Sequence, residues 1–274
     1  MKNFKKIGII GGGQMAEALI KGFLKKKIFK AEDILVSEPV KERREYLKNS
    51  YNVNTTKSNV EAVEKMGLIL LAVKPQVMKK VLEEISSYIN PERHLILTIA
   101  AGVPIKFYEK ILPPKTKIIR IMPNTCALIH QAISGISKGS FATEKDLKIA
   151  ESIFSAIGET MLVDETLMDA VTALSGSGPA YVSLFIEALV DGGVRAGLPR
   201  VIAEKLALQT VFGTVKLMLE TGKNPYEVKS MVTSPGGTTI TAIQEFYEKG
   251  FPGIIISAVY KAFLRSKELS EVLS

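Results

Sequence analysis

Ile7-Gly8-Ile9-Ile10-Gly11-Gly12-Gly13-Gln14-Met15-Ala16 decides the fold: an apolar strand runs into G-x-G-x-x-A, and Leu19, Ile20, Phe23 and Leu24 then recur at helical spacing. Such a turn cradles the phosphates of a dinucleotide. Gly11 allows the tight bend out of the strand, Gly13 lets the backbone approach a pyrophosphate, and Ala16 is small enough for the helix to pack on the sheet. The helix then turns its unpaired amides and the positive end of its dipole toward the bound anion. Glycine pairs also occur in ordinary turns; the strand before and the helix after are what make this one specific.

Around that turn the chain alternates. Strands are predicted at 6–10, 34–37, 68–73, 94–100 and 117–121, with helices at 14–26, 40–49, 76–88 and 104–111 between them. Leu68-Ile69-Leu70-Leu71-Ala72-Val73 is apolar on both faces, as in a parallel sheet covered by helices. Two weaker strands, near 133–136 and 160–163, flank a helix starting around Thr143 and extend the sheet. After about Asp164 the strand signal fades, and helices are predicted at 165–174, 179–196, 200–221, 235–248 and 253–268, punctuated by Gly-Leu-Pro at 197–199 and Gly-Phe-Pro at 250–252. The expected architecture is an α/β Rossmann-type doubly wound parallel sheet over 1–163, followed by an all-helical dimerisation and substrate domain over 164–274. The helices at 179–196 and 200–221 carry Leu184, Phe185, Leu189 and Val190, and Leu206, Leu208, Val211, Phe212 and Val215. That is more apolar surface than a small bundle covers, and a dimer is its natural outlet.

With 274 residues and 46% hydrophobic content the chain can bury a sizeable core. A single cysteine, Cys126, excludes an internal disulfide framework and suits a reducing cytoplasm; its small and apolar neighbours read as a buried site. His94 and His130 lack any spacing that would make a metal site, and both read as structural. The net charge is +8, and residues 1–50 hold 12 Lys and Arg against 6 Asp and Glu, a field that would draw in anionic ligands. No nucleic-acid motif accompanies it. No signal peptide is expected before the first strand. The apolar stretch Ala170–Val190 carries Glu187 and is interrupted by Ser175-Gly176-Ser177-Gly178-Pro179, a poor membrane span.

In open α/β sheets ligands bind outside the carboxyl ends of the strands. Glu38, after the second strand, can accept hydrogen bonds from adenosine ribose hydroxyls and repel a 2′-phosphate, favouring NADH. Lys41, Arg43 and Arg44 nearby could instead pair with a phosphate, and an acidic residue is common at a helix start in any case. Ala72-Val73-Lys74-Pro75 and Ala100-Ala101-Gly102-Val103 should border the dinucleotide: Pro75 stiffens one turn, the small residues of the other admit a ring, and Lys74 is either a contact or a helix-start lysine. The polar side chains of Arg120-Ile121-Met122-Pro123-Asn124-Thr125 could face the nicotinamide. Leu174-Ser175-Gly176-Ser177-Gly178-Pro179-Ala180-Tyr181 and Thr233-Ser234-Pro235-Gly236-Gly237-Thr238-Thr239 each set small polar residues before a helix, where amides and hydroxyls can hold an anion or simply cap the helix.

Together G-G-G-Q-M-A, A-V-K-P, A-A-G-V, M-P-N-T, L-S-G-S-G-P-A-Y, D-G-G-V-x-x-G-L-P-R and S-P-G-G-T-T, in order along nearly the whole chain, resemble the pyrroline-5-carboxylate reductase family. The last three blocks carry most of the specificity. The resemblance implies an oxidoreductase acting on a CH-NH group: NADH or NADPH reduces the C=N bond of 1-pyrroline-5-carboxylate to L-proline, the last step of proline biosynthesis. It implies that Gln14, Met15, Asn59, Val73, Lys74, Ala100, Ala101 and Gly102 line the cofactor with the glycine turn. It also places the substrate carboxylate on Ser234 to Thr239, including Gly236, Gly237 and Thr238, with Thr239 beside the ring nitrogen and Glu165 near the substrate. The family builds an intertwined homodimer, often assembled into larger rings. Many members have a small hydroxyl residue where this chain has Glu38, which strengthens the NADH reading.

Two other readings compete. β-Hydroxyacid dehydrogenases also join a Rossmann domain to a helical one, but their lysine four residues past the second glycine would fall on Val182. A nucleotide-sensing protein would bind the cofactor without turnover, and has no need of a carboxylate pocket.

Overall fold

The structure, a computed structural model, describes residues 4–273. Eight strands form one sheet: β1 (Ile7–Ile10), β2 (Ile34–Ser37), β3 (Asn54–Thr56), β4 (Leu68–Leu71), β5 (Leu95–Thr98), β6 (Lys117–Met122), β7 (Ala132–Lys138) and β8 (Gly158–Leu162). Their order is β3-β2-β1-β4-β5-β6-β7-β8. The first six run parallel in the order of a dinucleotide-binding sheet, and the direction of winding reverses between β1 and β4.

β1, β2, β4 and β5 are buried on both faces, because helices cover the sheet on each side. These are α1 (Gln14–Lys25), α2 (Lys41–Tyr51), α3 (Asn59–Lys65), α4 (Pro75–Ile85), α5 (Ile105–Ile111) and α6 (Glu144–Phe154). One core cluster gathers Ile7, Leu19, Phe23, Leu70 and Phe154; the other gathers Ile10, Ile69, Leu82, Ile96 and Tyr108. Thr143 caps α6 through a reciprocal bond with Asp146, so that helix starts where the sequence places it.

The sheet departs from the expected parallel form at β7, which runs antiparallel to β6. The β6–β7 link contains only the 3₁₀ turn Thr125–Ile129, and a parallel return needs a crossover of a dozen or more residues. α6 supplies such a crossover, so β8 lies parallel to β7. β3, absent from the sequence reading, and α3, which leads from Asn59 to β4, complete the β2 side.

The helices that follow are α7 (Met168–Val171), α8 (Gly178–Arg195), α9 (Arg200–Thr221), α10 (Pro225–Met231), α11 (Thr238–Glu248) and α12 (Phe251–Leu273). Two compact units result. The first runs to Ser177 and takes in residues from Ala262 onward; the second is Gly178–Lys261. Residues 165–177 go with the sheet because Met168 and Ala173 are buried there, and a Cβ on Gly135 of β7 would stand 2.9 Å from Val171 Cγ1.

Ser175-Gly176-Ser177-Gly178, expected as a loop, is helical: Thr172–Gly176 forms a π-turn, and the Ser177 amide donates to the Thr172 carbonyl at 2.9 Å. Those amides are therefore not an anion site, and Glu165–Arg195 forms one helical run. By length and composition it is the one helix among the described residues that could cross a membrane, with a mean hydropathy of 1.3 over its best window. Such a lone helix is a weak sign.

The second unit has almost no core of its own. Val190, Ala203 and Ala207 are its buried cluster, while Leu184, Val201, Phe212, Leu219 and Ile256 are each more than half exposed. An apolar surface of this kind is the mark of an association face.

His94 holds the β5 entrance. Its Nδ1 accepts the Asn90 amide at 2.7 Å, so Nε2 carries the proton and donates to the Val63 carbonyl at 3.1 Å. Burial keeps the ring below its usual pKa and neutral. Cys126 is half-buried rather than buried.

Candidate active site

The carboxyl ends of β1, β2, β4 and β5 gather the residues that the sequence assigns to a cofactor. Gly11 takes φ +101°, and a Cβ there would stand 2.8 Å from the Ala72 carbonyl oxygen and 3.0 Å from Val73 Cγ1. The β1 and β4 ends abut, through the Ala72 amide to the Ile10 carbonyl at 2.8 Å, and only glycine fits between them. Gly13 is different: a Cβ there meets nothing within 4 Å. No protein contact demands a glycine at 13, whereas a ligand phosphate against the backbone would.

Gly13 is the N-cap of α1, followed by exposed Gln14, half-buried Met15 and buried Ala16. The amides of that first turn have no helical acceptor. Lys74 is the extended N-cap of α4, with its side chain exposed and Pro75 opening the helix. Ala100 is buried and Ala101 exposed. Gly102 takes φ +70°, and a Cβ there would touch Leu269 Cβ at 3.5 Å, where the last turns of α12 pack over this loop.

Glu38 is buried. Its Oε2 accepts the Gly12 amide at 2.8 Å and its Oε1 the Val40 amide at 3.0 Å, so the carboxylate is tied into the glycine turn. Gly12, not singled out by its motif, is thus a hub: a Cβ would also press on Leu47 Cδ1 at 2.9 Å. Arg43 donates Nε to the Gly12 carbonyl at 2.6 Å, and Arg44 donates to the carbonyls of Glu38 and Pro39. Both arginines are occupied by the protein. Asn59 reaches the same edge, accepting Ser37 Oγ at 2.7 Å and donating to Glu84 at 2.9 Å.

Glu17, one turn into α1, is 9% exposed. Burial alone would raise its pKa, but hydrogen bonds from Tyr51, Arg43, Tyr46 and Lys21 outweigh it and hold the carboxyl at about 2. A carboxyl depressed in the native state stabilises it fully above the unfolded value of 4.5, and the gain fades as pH falls toward 2. Glu17→Gln is expected to cost on the order of 2 kcal/mol at pH 7 and almost nothing near pH 2. Urea unfolding at both pH values checks this; a gap that persists in acid contradicts it.

Within β6, Arg120 is buried. Its guanidinium meets Glu165 Oε1 at 3.2 Å and Asp169 Oδ1 at 3.8 Å. The same Glu165 oxygen accepts the Ile105 amide at 2.6 Å, closing the start of α5, and Asp169 Oδ1 accepts Ser266 Oγ at 2.7 Å and Ser270 Oγ at 3.1 Å. Asn124 donates to Ser175, so M-P-N-T and L-S-G-S-G meet. Thr98 and Tyr108 share a buried hydroxyl contact at 2.6 Å, and burial pushes the phenol above its usual pKa.

In the second unit, α11 begins at Thr238 rather than 235. Pro235-Gly236 forms a turn with Gly236 at φ +66°, and the Gly237 amide returns to the Ser234 carbonyl at 3.1 Å. Gly237 is the N-cap, and a Cβ on it would collide with Ser234 Oγ. The Ser234 hydroxyl therefore lies against the mouth of the helix. Thr238 is exposed and Thr239 half-buried on the first turn, where the free amides and positive dipole end attract an anion.

The sheet order, the glycine turn at the switch point and the open space beside Gly13 define a dinucleotide-dependent oxidoreductase fold. Residues 6–102 match the family described as NADP oxidoreductase coenzyme F420-dependent, and residues 165–269 match pyrroline-5-carboxylate reductase dimerisation. A pyrroline-5-carboxylate reductase of Synechocystis is 47% identical, over 97% of this chain and 98% of that one; one of Methanosarcina acetivorans is 44% identical, over 97% and 98%. Among solved structures, a pyrroline-5-carboxylate reductase from Coxiella burnetii superposes with a TM-score of 0.92 at 33% identity, covering 97% of this chain and 99% of that one. The Plasmodium falciparum pyrroline carboxylate reductase, solved with NADP bound, superposes at 0.88 with 32% identity, covering 98% and 99%. This chain belongs to the pyrroline-5-carboxylate reductase family. It is an NAD(P)-dependent oxidoreductase, and its helical part is a dimerisation domain.

Proposed function

We propose that this chain reduces the C=N bond of 1-pyrroline-5-carboxylate to L-proline. The observation that supports this most directly is the 47% identical relative of that name, matched across 97% of the chain. Bound NAD(P)H supplies the hydride to the imine carbon, while the ring nitrogen ends as an N–H. Gly11, Gly13, Gln14, Met15 and Ala16 form the pyrophosphate turn; Asn59, Val73, Lys74, Pro75, Ala100, Ala101 and Gly102 border the rest of the cofactor.

Ser234, Gly236, Gly237 and Thr238 hold the substrate carboxylate at the mouth of α11, and Thr239 meets the ring nitrogen. Glu165 serves the substrate from a position already fixed by Arg120 and the Ile105 amide. A protonated imine is itself a strong electrophile, so alignment supplies much of the rate, on the order of 7 kcal/mol or more. Thr239→Ala should lower kcat at least about tenfold while leaving coenzyme affinity within about twofold. An unchanged kcat removes Thr239 from the mechanism.

Glu38 favours NADH. Its carboxylate is held at the end of β2, where a 2′-phosphate would meet a negative charge, and Arg43 and Arg44 are spent on carbonyls. Glu38→Ser should move the NADH-to-NADPH ratio of kcat/KM toward NADPH by about tenfold. A ratio that stays put contradicts this assignment.

The functional division falls at 163/164, beside the start of the dimerisation match at 165, although the packing units divide at 177. The bare apolar faces of the second unit fit an intertwined homodimer, able to build larger rings. The single cysteine fits a cytoplasmic setting.

A further inference from the structure

Arg43 makes contacts that the reaction itself does not call for. From α2 its Nε reaches the Gly12 carbonyl at 2.6 Å, and one terminal nitrogen reaches both the Gly13 carbonyl at 3.3 Å and Glu17 Oε2 at 2.6 Å. Glu17 Oε1 accepts Tyr51 at 2.5 Å and Tyr46 at 3.0 Å, so the anchor of the arginine is itself fixed to α1 and α2. In the preceding peptide unit the Gly12 amide is held by Glu38 at 2.8 Å.

A peptide unit is planar, and in the trans form its C=O and N–H point in opposite directions. Drawing the Gly12 carbonyl toward Arg43 therefore aims the Gly13 N–H away from Arg43, and drawing the Gly13 carbonyl does the same for the Gln14 N–H. Those two amides open α1, beside the empty space at Gly13 where a pyrophosphate would lie. The planar fork of an arginine can grip a carboxylate and carbonyls at once, which the single ammonium of a lysine cannot.

We propose that Arg43, anchored by Glu17, is a positioning residue that presets the glycine turn for the pyrophosphate of the dinucleotide, a role that rests on the dinucleotide-dependent reading above. The turn is then organised before the ligand arrives, and affinity gains what would otherwise be spent ordering it.

Calorimetric titration of the full-length protein with NADH and with ADP-ribose, alongside steady-state kinetics, tests this. Arg43→Met should raise Kd for both ligands about tenfold, and KM for NADH in step, with kcat at saturation within about twofold of the parent. Arg43→Lys should fall between, and Arg93→Met, which removes a guanidinium bonded to the Glu64 carbonyl, should match the parent. Should Arg43→Met fail to fold, Arg43→Lys decides on the same readouts. Unchanged Kd values, or kcat falling together with affinity, overturn the positioning role. Failure of the parent to bind NADH would instead sink the dinucleotide reading, and this inference with it.

Discussion

Alanine at Gly11 is expected to remove dinucleotide binding and to cost the fold roughly 3–5 kcal/mol. The new Cβ would stand 2.8 Å from the Ala72 carbonyl oxygen and 2.9 Å from its carbon, which are backbone atoms that cannot swing aside, at a φ of +101° that side chains rarely adopt. Relief would have to separate β1 from β4 at the switch point. For a unit of this size the melting temperature should fall by roughly 10 °C. Gly13→Ala provides the contrast: its Cβ meets nothing within 4 Å, at an ordinary φ of −69°. It should leave stability within about 1 kcal/mol while weakening NADH binding at least tenfold. Thermal melts and calorimetry of both variants separate a glycine required by the protein from one required by the ligand. Equal effects at the two positions contradict that division.

The second large effect is at Arg120. Its side chain is 5% exposed, and it neutralises Glu165 at 3.2 Å and Asp169 at 3.8 Å. Arg120→Met leaves two partly buried carboxylates without their shared cation, a loss of roughly 3 kcal/mol, because breaking one side of such a cluster strands the other. Adding Glu165→Gln should restore part of it, since the amide can still accept from Ile105 without the charge. Denaturant unfolding of the single and double variants measures the coupling. Strict additivity would mean that the ion pair contributes little and that Glu165 is held by the Ile105 amide alone.

Much of the fold was legible because its signals are strong. Apolar runs such as Leu68–Leu71 mark buried parallel strands, and Thr143 with Asp146 marks a helix start. β3 escaped notice because Asn54–Thr56 is a short, half-exposed edge strand. α10 had a usable signal: Asn224 and Glu227 form a capping box, with Pro225 at the first helical position, that the sequence reading passed over. The direction of β7 depends on a link whose geometry no periodicity encodes. Small residues at Ser175–Gly178 read as a loop, yet Gly176 packs so closely on Met122 that a Cβ would stand 2.5 Å from its terminal methyl, and the backbone stays helical.

The site was legible as residue types but not as partnerships. Glu38 stood out by position; that its carboxylate would also tie down Gly12 depends on a bond across 26 residues. Arg43 looked like a phosphate ligand on charge alone, and became a backbone clamp once Glu17 and the Gly12 carbonyl were placed beside it. Glu165 likewise carries a structural bond to Ile105 that its motif does not advertise.

The most direct test of the account is the loss of nicotinamide absorbance when the purified protein meets 1-pyrroline-5-carboxylate, followed in parallel with NADH and NADPH at matched concentrations. Substrate-dependent oxidation, faster with NADH, with proline formed mole for mole, is the predicted result. Demonstrable coenzyme binding with no oxidation from either coenzyme would contradict the account and leave a protein that binds the dinucleotide without turning it over.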